Sequence, residues 1–213
     1  MSVAVDPAIG RQIVEVGRSL FDRLKTHGRT GNLSARTGDT VVVTPTGVSL
    51  GALSVEGLSV IDLSGRRVGG AEPSKEAFLH AAVHRARPDA GGVVHLHSTN
   101  AVAVSCLADV DPDDVLPPLT AYYVMRVGTL PLLPYHAPGD DRLESRAEET
   151  ARGHACFLIA NHGPVVAARD LAWAADAAEE LEETARLFLM LRGHATRALT
   201  PDQVDSLERR LAR

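Results

Sequence analysis

The sequence predicts one α/β domain over residues 1–213, with a central mixed, mostly antiparallel sheet flanked by helices. Three observations predict it. Helical periodicities and short β-branched runs alternate along the chain. Their spacing lacks the strand–helix–strand rhythm of a doubly wound parallel sheet. The 213 residues, 45% of them hydrophobic, suffice for one sizeable core.

The elements follow in order. Residues 7–27 place Ile13, Val16, Leu20 and Leu24 at helical spacing. GRTGNLSARTGD (28–39) reads as a loop of glycine and small polar residues. TVVVT (40–44) is a buried strand, PTGVSLGALS a loop and LSVIDLSG (58–65) a strand ending in a turn. Ser74 is the expected N-cap of a helix over SKEAFLHAAVHRAR. GGVVHLHS (91–98) is a strand, followed by a helix from Thr99 to Leu107. A proline-rich surface loop comes next, and YYVMRVGTLPLLPY is expected to hold one or two short strands. A helix covers about 140–153, and CFLIANHGPVVAA gives two strands joined at Asn161–Pro164. A long helix spans about Asp170–Leu191, and a short one begins at Pro201.

Composition excludes several classes of partner. The net charge is -5, which gives no electrostatic reason to expect nucleic acid or an anionic membrane. No apolar run approaches the ~20 residues of a membrane span. MSVAVDPAIG lacks the basic-then-apolar pattern of a signal peptide. The two cysteines, Cys106 and Cys156, read as buried free thiols in a reducing compartment, and the expected location is cytoplasmic.

The sharpest chemical signal is HLHS (95–98). On a strand, residues i and i+2 share a face, so His95 and His97 can bind one metal ion or can be two polar residues at a solvated strand end. His162, in the ANHGP turn after a second apolar strand, can complete a three-histidine site that leaves one position open, as catalytic zinc sites do. Glu76, in the first turn of a helix, suits the helix dipole; it can also be a general acid/base or a fourth ligand. His80, one turn on, is an alternative ligand or, by preference, a supporting or packing residue. GRTGNLS and TPTG (44–47) are small polar loops able to cradle a phosphate, and neither is a nucleotide-binding loop of the Walker type.

In order, GNLS, TPTG, PSKE, HLH and NHG resemble the class II aldolase and adducin family, over residues 15–192. Within it, PTGVSLGALS, VVHLHSTNAVAVS, LPPLTAYYVMRVG, LPYHAPGD and AEELEETARLFLMLRG resemble the 3-oxo-tetronate 4-phosphate decarboxylase branch. The resemblance implies one Zn2+ per subunit on His95, His97 and His162, with Glu76 as acid/base and ligand. Asn32, Thr46, Gly47 and Ser74 would hold the phosphate of a small sugar-acid substrate. A cytoplasmic homotetramer with sites between subunits is also implied. The expected reaction is loss of CO2 through an enediolate stabilised by the metal, giving dihydroxyacetone phosphate.

Aldol cleavage of a ketose or sugar-acid phosphate passes through the same enediolate, so the metal residues alone do not separate the two lyase activities. Lys75 stands where fuculose-phosphate aldolase has a second serine, and adds a positive charge beside the substrate or is merely an exposed lysine. The family's aldolases use a tyrosine near the C-terminus as proton donor, and this chain has none after Tyr135. Tyr122, Tyr123 and Arg126 remain open between a site role and packing or an interface. An adducin-like scaffold without catalysis would require loss of the metal ligands, all of which are present.

Overall fold

The computed structural model describes residues 3–211. Its strands are β1 (Asn32–Thr37), β2 (Thr40–Val43), β3 (Ser59–Asp62), β4 (Arg67–Gly70), β5 (Gly92–His95), β6 (Leu132–Leu133), β7 (Cys156–Ile159) and β8 (Gly163–Ala168). They form a single eight-stranded sheet in the order β4-β3-β2-β1-β5-β8-β7-β6. The β6–β7 pair is parallel and the other neighbours are antiparallel. The helices are α1 (Pro7–Asp22), α2 (Ala77–Ala86), α3 (Thr99–Ser105), α4 (Ala121–Arg126), α5 (Leu143–Gly153), α6 (Leu171–Leu191) and α7 (Pro201–Leu211). The expected mixed, mostly antiparallel α/β architecture is what the chain adopts.

Side-chain alternation sorts the sheet into two faces. Leu33, Ala35, Val94 and Val166 pack with Ile13 and Leu20 of α1 and with Ala174, Ala178 and Leu181 of α6. Val93, Val165 and Ala167 turn the other way, onto Leu79 and Val83 of α2 and Leu143, Ala147 and Ala151 of α5. The period of two therefore sends Asn32, Ser34 and His95 to the α2 face. In the ladders Asn32 lies opposite His95, and His95 opposite Val165.

Several expectations are corrected. The first helix ends at Asp22, and Leu24 sits in left-handed conformation (φ 58), 88% exposed. The stretch read as loop, 28–39, contains β1; its apolar face is only Leu33 and Ala35, because Asn32 and Ser34 are buried for polar reasons. β4 carries two glycines and gave no strand signal. Glu76, not Ser74, is the N-cap position of α2, while Ser74 Oγ accepts from the Glu76 N–H at 3.3 Å. YYVMR is helical: Thr120 caps it through the Tyr123 N–H, and Tyr123, Val124 and Val127 are buried along one side. β5 ends at His95, so His97 lies just past the strand. Cys156 is a buried free thiol, but Cys106 is exposed.

The helix after HLHS is capped from a distance. Ser98 occupies its N-cap position but makes no side-chain capping bond. Glu182 of α6, 8% exposed, instead accepts from the Asn100 N–H (3.0 Å), the Asn100 amide (2.7 Å) and the Ala101 N–H (2.9 Å). A carboxylate suits the positive end of α3 and satisfies donors that would otherwise be buried without partners. Glu182→Ala is expected to destabilise the fold by about 1–3 kcal/mol, measured by urea denaturation. A loss below ~0.5 kcal/mol would count against this capping role.

Candidate metal centre

Local structure presents each histidine to one point. His95 is the last residue of β5, and its strand direction aims it at the α2 face. His97 follows one residue beyond Leu96, whose N–H still bonds the Pro164 carbonyl. His162 stands in the turn between β7 and β8, after Asn161, which adopts a left-handed φ of 57. The next residue must be glycine, since a Cβ at Gly163 would lie 2.2 Å from the Leu96 carbonyl oxygen. Glu76 reaches the same point from the start of α2.

The four groups converge. One ligand atom from each of Glu76, His95, His97 and His162 lies within 4.8 Å of the others. His162 Nε2 is 3.3 Å from His95 Nε2 and 3.1 Å from His97 Nε2. Glu76 Oε1 is 3.1 Å from His162 Nε2, and Oε2 is 3.4 Å from His95 Nε2. The residues fit a metal ion on two counts. Tetrahedral zinc with bonds of ~2.0–2.1 Å has ligand–ligand edges of ~3.3 Å, which these separations match. His95 also donates from Nδ1 to the Pro164 carbonyl at 2.8 Å, so its Nε2 carries the free lone pair.

Electrostatics agree. Burial lowers the pKa of His95 and pushes His97 down to about 3, so both imidazoles are neutral at pH 7. Burial raises the Glu76 carboxyl, but His95, His162 and the Asn32 amide together hold it well below the usual carboxylate range. Glu76 is therefore ionised. A cluster of bare imidazole nitrogens beside a buried carboxylate is an environment built for a cation.

Two adjoining clefts open on this centre. One is lined by Arg29, Asn32, Thr46, Gly47, Ser74 and Lys75, together with Glu76 and His97. A single β-bridge between Pro45 and Pro73 holds the TPTG and PSKE loops together there. Asn32 lines this cleft, yet its amide is committed to Glu76 (2.8 Å) and His80 (2.5 Å). The other cleft includes His27, Thr99, Tyr135 and Asn161 beside His97 and His162. Arg29 and His27 were missed from sequence; both lie in a loop whose residue types carry no spacing signal. Tyr122 and Arg126 line a separate groove with Lys25 and Asp176, and Arg126 pairs with Asp176 at 3.1 Å. Tyr123 is a core residue, 2% exposed, its hydroxyl 3.4 Å from the Leu116 carbonyl.

Known proteins are similar to this chain over most of its length. The model of the class II aldolase and adducin N-terminal domain matches residues 11–189. A 3-oxo-tetronate 4-phosphate decarboxylase of Haemophilus influenzae is 49% identical over 93% of this chain and 95% of its own. The crystal structure of YgbL from Klebsiella pneumoniae superposes with a TM-score of 0.91 at 43% identity, covering 94% of this chain and 97% of that one. An L-fuculose phosphate aldolase of Methanocaldococcus jannaschii is 33% identical over 84% of this chain and 95% of its own. With a family match across most of its length, and the histidines and glutamate of the sequence motifs gathered at one point, the chain belongs to the class II aldolase and adducin family.

Proposed function

We propose that this protein is a zinc-dependent carboxy-lyase that removes CO2 from a 3-oxo-tetronate 4-phosphate and leaves dihydroxyacetone phosphate. The observation that carries the reading is the 49% identity to a decarboxylase of that name, against 33% to the aldolase, on a chain that gathers Glu76, His95, His97 and His162 where they could hold a metal ion. His95, His97 and His162 would hold the ion, with Glu76 as a fourth ligand before substrate arrives. When bound, the metal supplies Lewis acidity for charge that grows on a ketone oxygen.

The chain's own residues do the rest. Loss of CO2 leaves an electron pair on the carbon beside the ketone, and that carbon takes one proton. Glu76, ionised in the free site, is the donor: the substrate's own negative charges beside it raise its carboxyl, and it then takes a proton from solvent. Its Oε2 is engaged by Asn32, so Oε1 is the oxygen that carries the proton. Ser74, Thr46, Gly47 and Lys75 would bind the phosphate, with Asn32 lining the cleft but turned to Glu76.

Charge supports the substrate class. The phosphate brings about −1.5 to −2 at pH 7 and the carboxylate −1 more. Glu76 adds another negative charge beside them. Arg29 and Lys75 line the cleft without ion-pair partners among the described residues, and they supply the opposing charge in a protein that is acidic overall. A hydrogen bond to a charged group contributes ~1.5–3 kcal/mol, so Lys75→Met and Arg29→Met are each expected to raise KM about 10- to 100-fold. Steady-state kinetics on the tetronate check this; unchanged KM in both variants would remove the cleft from the substrate site.

The deciding assay is CO2 release from 3-oxo-tetronate 4-phosphate, with and without a chelator. Release that stops with chelator and returns with Zn2+ is the expected result. The aldolase relative keeps a second reading in view, and it has its own assay: dihydroxyacetone phosphate with short aldehydes. Condensation to a longer sugar phosphate without CO2 release from the tetronate would replace the first reading with the second. The proposal extends to a cytoplasmic homotetramer, supported by the family; sedimentation should find four times the 22.6 kDa chain mass. No described helix is long and apolar enough to cross a membrane.

A further inference from the structure

A run of buried polar side chains leads from Glu76 away from the clefts and into the protein. Asn32 Nδ2 donates to Glu76 Oε2 at 2.8 Å, and Asn32 Oδ1 lies 2.5 Å from His80 Nε2. His80 Nδ1 is 2.7 Å from Ser34 Oγ, which is 3.0 Å from His84 Nε2. His84 Nδ1 lies 3.3 Å from the Ala90 carbonyl. Ser34, His80 and His84 are each 0% exposed. Filling this space with aliphatic side chains would avoid the cost of burying two imidazoles and a hydroxyl. Packing alone therefore does not account for them.

The direction of the chain follows from counting donors. Asn32 turns its NH2 toward Glu76 and donates to Oε2. Asn32 Oδ1 can then only accept, which places the His80 proton on Nε2. Burial pushes His80 down to about 3 and His84 down to about 4, so each carries a single ring proton at pH 7. His80 Nδ1 is thus a bare acceptor, and the Ser34 hydroxyl donates to it. That uses the only hydroxyl hydrogen, so His84 Nε2 must donate to Ser34 Oγ. Every proton points toward Glu76. The one mismatch is His84 Nδ1, left bare beside the Ala90 carbonyl at the far end.

We propose that His80 is a positioning residue: through Asn32 it fixes the orientation of the Glu76 carboxylate, and Ser34 with His84 sets the His80 tautomer that makes this possible. Reversing His80 would turn a lone pair on Asn32 Oδ1. The amide would relieve this by rotating, and its carbonyl would then face the carboxylate. The inference rests on Glu76 as the acid/base of the proposed reaction. It concerns the histidine at 84 and the serine at 34, and it asks nothing of the metal beyond leaving Glu76 in place.

The test uses the full-length, zinc-loaded protein and three variants. His80→Leu and Ser34→Ala are expected to lower kcat on the order of 10- to 100-fold, with KM and zinc content unchanged. His80→Gln offers one donor and one acceptor in similar positions, and should stay within ~3-fold of wild-type kcat. Equal kcat per zinc-loaded subunit in all variants, with only Tm lowered, overturns the proposal. Histidine nitrogen NMR gives a readout independent of turnover. His80 should carry its proton on Nε2 in the wild type and shift toward Nδ1 in Ser34→Ala. A wild-type His80 protonated on Nδ1 overturns the relay whatever the activity. A wild type inert on the tetronate, with the His80 tautomer still dependent on Ser34, supports the relay and sinks only the decarboxylase reading.

Discussion

His95→Ala is expected to abolish both metal binding and CO2 release. The side chain is completely buried, and its Nδ1 bond to the Pro164 carbonyl leaves the Nε2 lone pair free to face His162 and Glu76. Removing it leaves two histidines and a carboxylate around a void, with His162 deprived of a neighbour 3.3 Å away. Changes one layer out from a metal already cost ~10- to 100-fold, so loss of a direct ligand should exceed about 1,000-fold in kcat/KM. Zinc measured by atomic absorption should fall from about one per chain to below ~0.1, because a site short of one ligand rarely retains its ion. A thermal arm separates lost metal from lost fold. An ion that binds the native state alone raises stability, so a chelator should lower the wild-type Tm and leave His95→Ala unmoved. A folded variant that keeps stoichiometric zinc and full CO2 release would falsify the assignment of the metal centre.

The reason that centre was legible in sequence is geometric. An i, i+2 pair at the end of an apolar strand brings two imidazoles close together even though β5 ends at His95, and the glycine after His162 marks a turn. Glu76 was legible by position at a helix start, although the cap was expected two residues earlier. Strands with β-branched runs, such as Val41–Val43, were equally plain. What was hidden had a common cause. β1 reads NLSART, and its polar residues are not solvent-facing but turned to His80 and His84 inside the protein. A polar residue buried for a polar partner looks like loop until the partner is known. His80 and His84, one helical turn apart, gained meaning only through Ser34 on that same misread stretch. YYVMR failed for the opposite reason. Its aromatic and β-branched residues favour strand, but the Thr120 cap and the burial of Tyr123, Val124 and Val127 decide for helix.

Glu76→Gln should separate proton transfer from metal binding. The amide keeps the shape of the carboxylate and can still accept from Asn32 through its oxygen. Its NH2 then occupies the place of Oε1, near His162, where it can neither take up nor deliver a proton. Zinc content should stay within ~2-fold of wild type because the three histidines remain. The rate should fall by about 100- to 10,000-fold, the usual contribution of a positioned acid or base. Position makes a second, sharper expectation. A proton delivered from one carboxylate oxygen reaches one face of the carbon that loses CO2. In D2O the wild type should therefore give dihydroxyacetone phosphate with a single deuteron of one configuration at its new hydroxymethyl carbon. Without Glu76, protonation comes from solvent on either face, and the residual product should be racemic at that carbon. If the variant keeps both rate and stereochemistry, the proton comes from elsewhere, and Tyr135 in the adjoining cleft is the next group to change. If zinc is lost along with the rate, Glu76 acts chiefly as a ligand. Either result moves the acid/base role off Oε1, the oxygen that the Asn32 hydrogen bond leaves free.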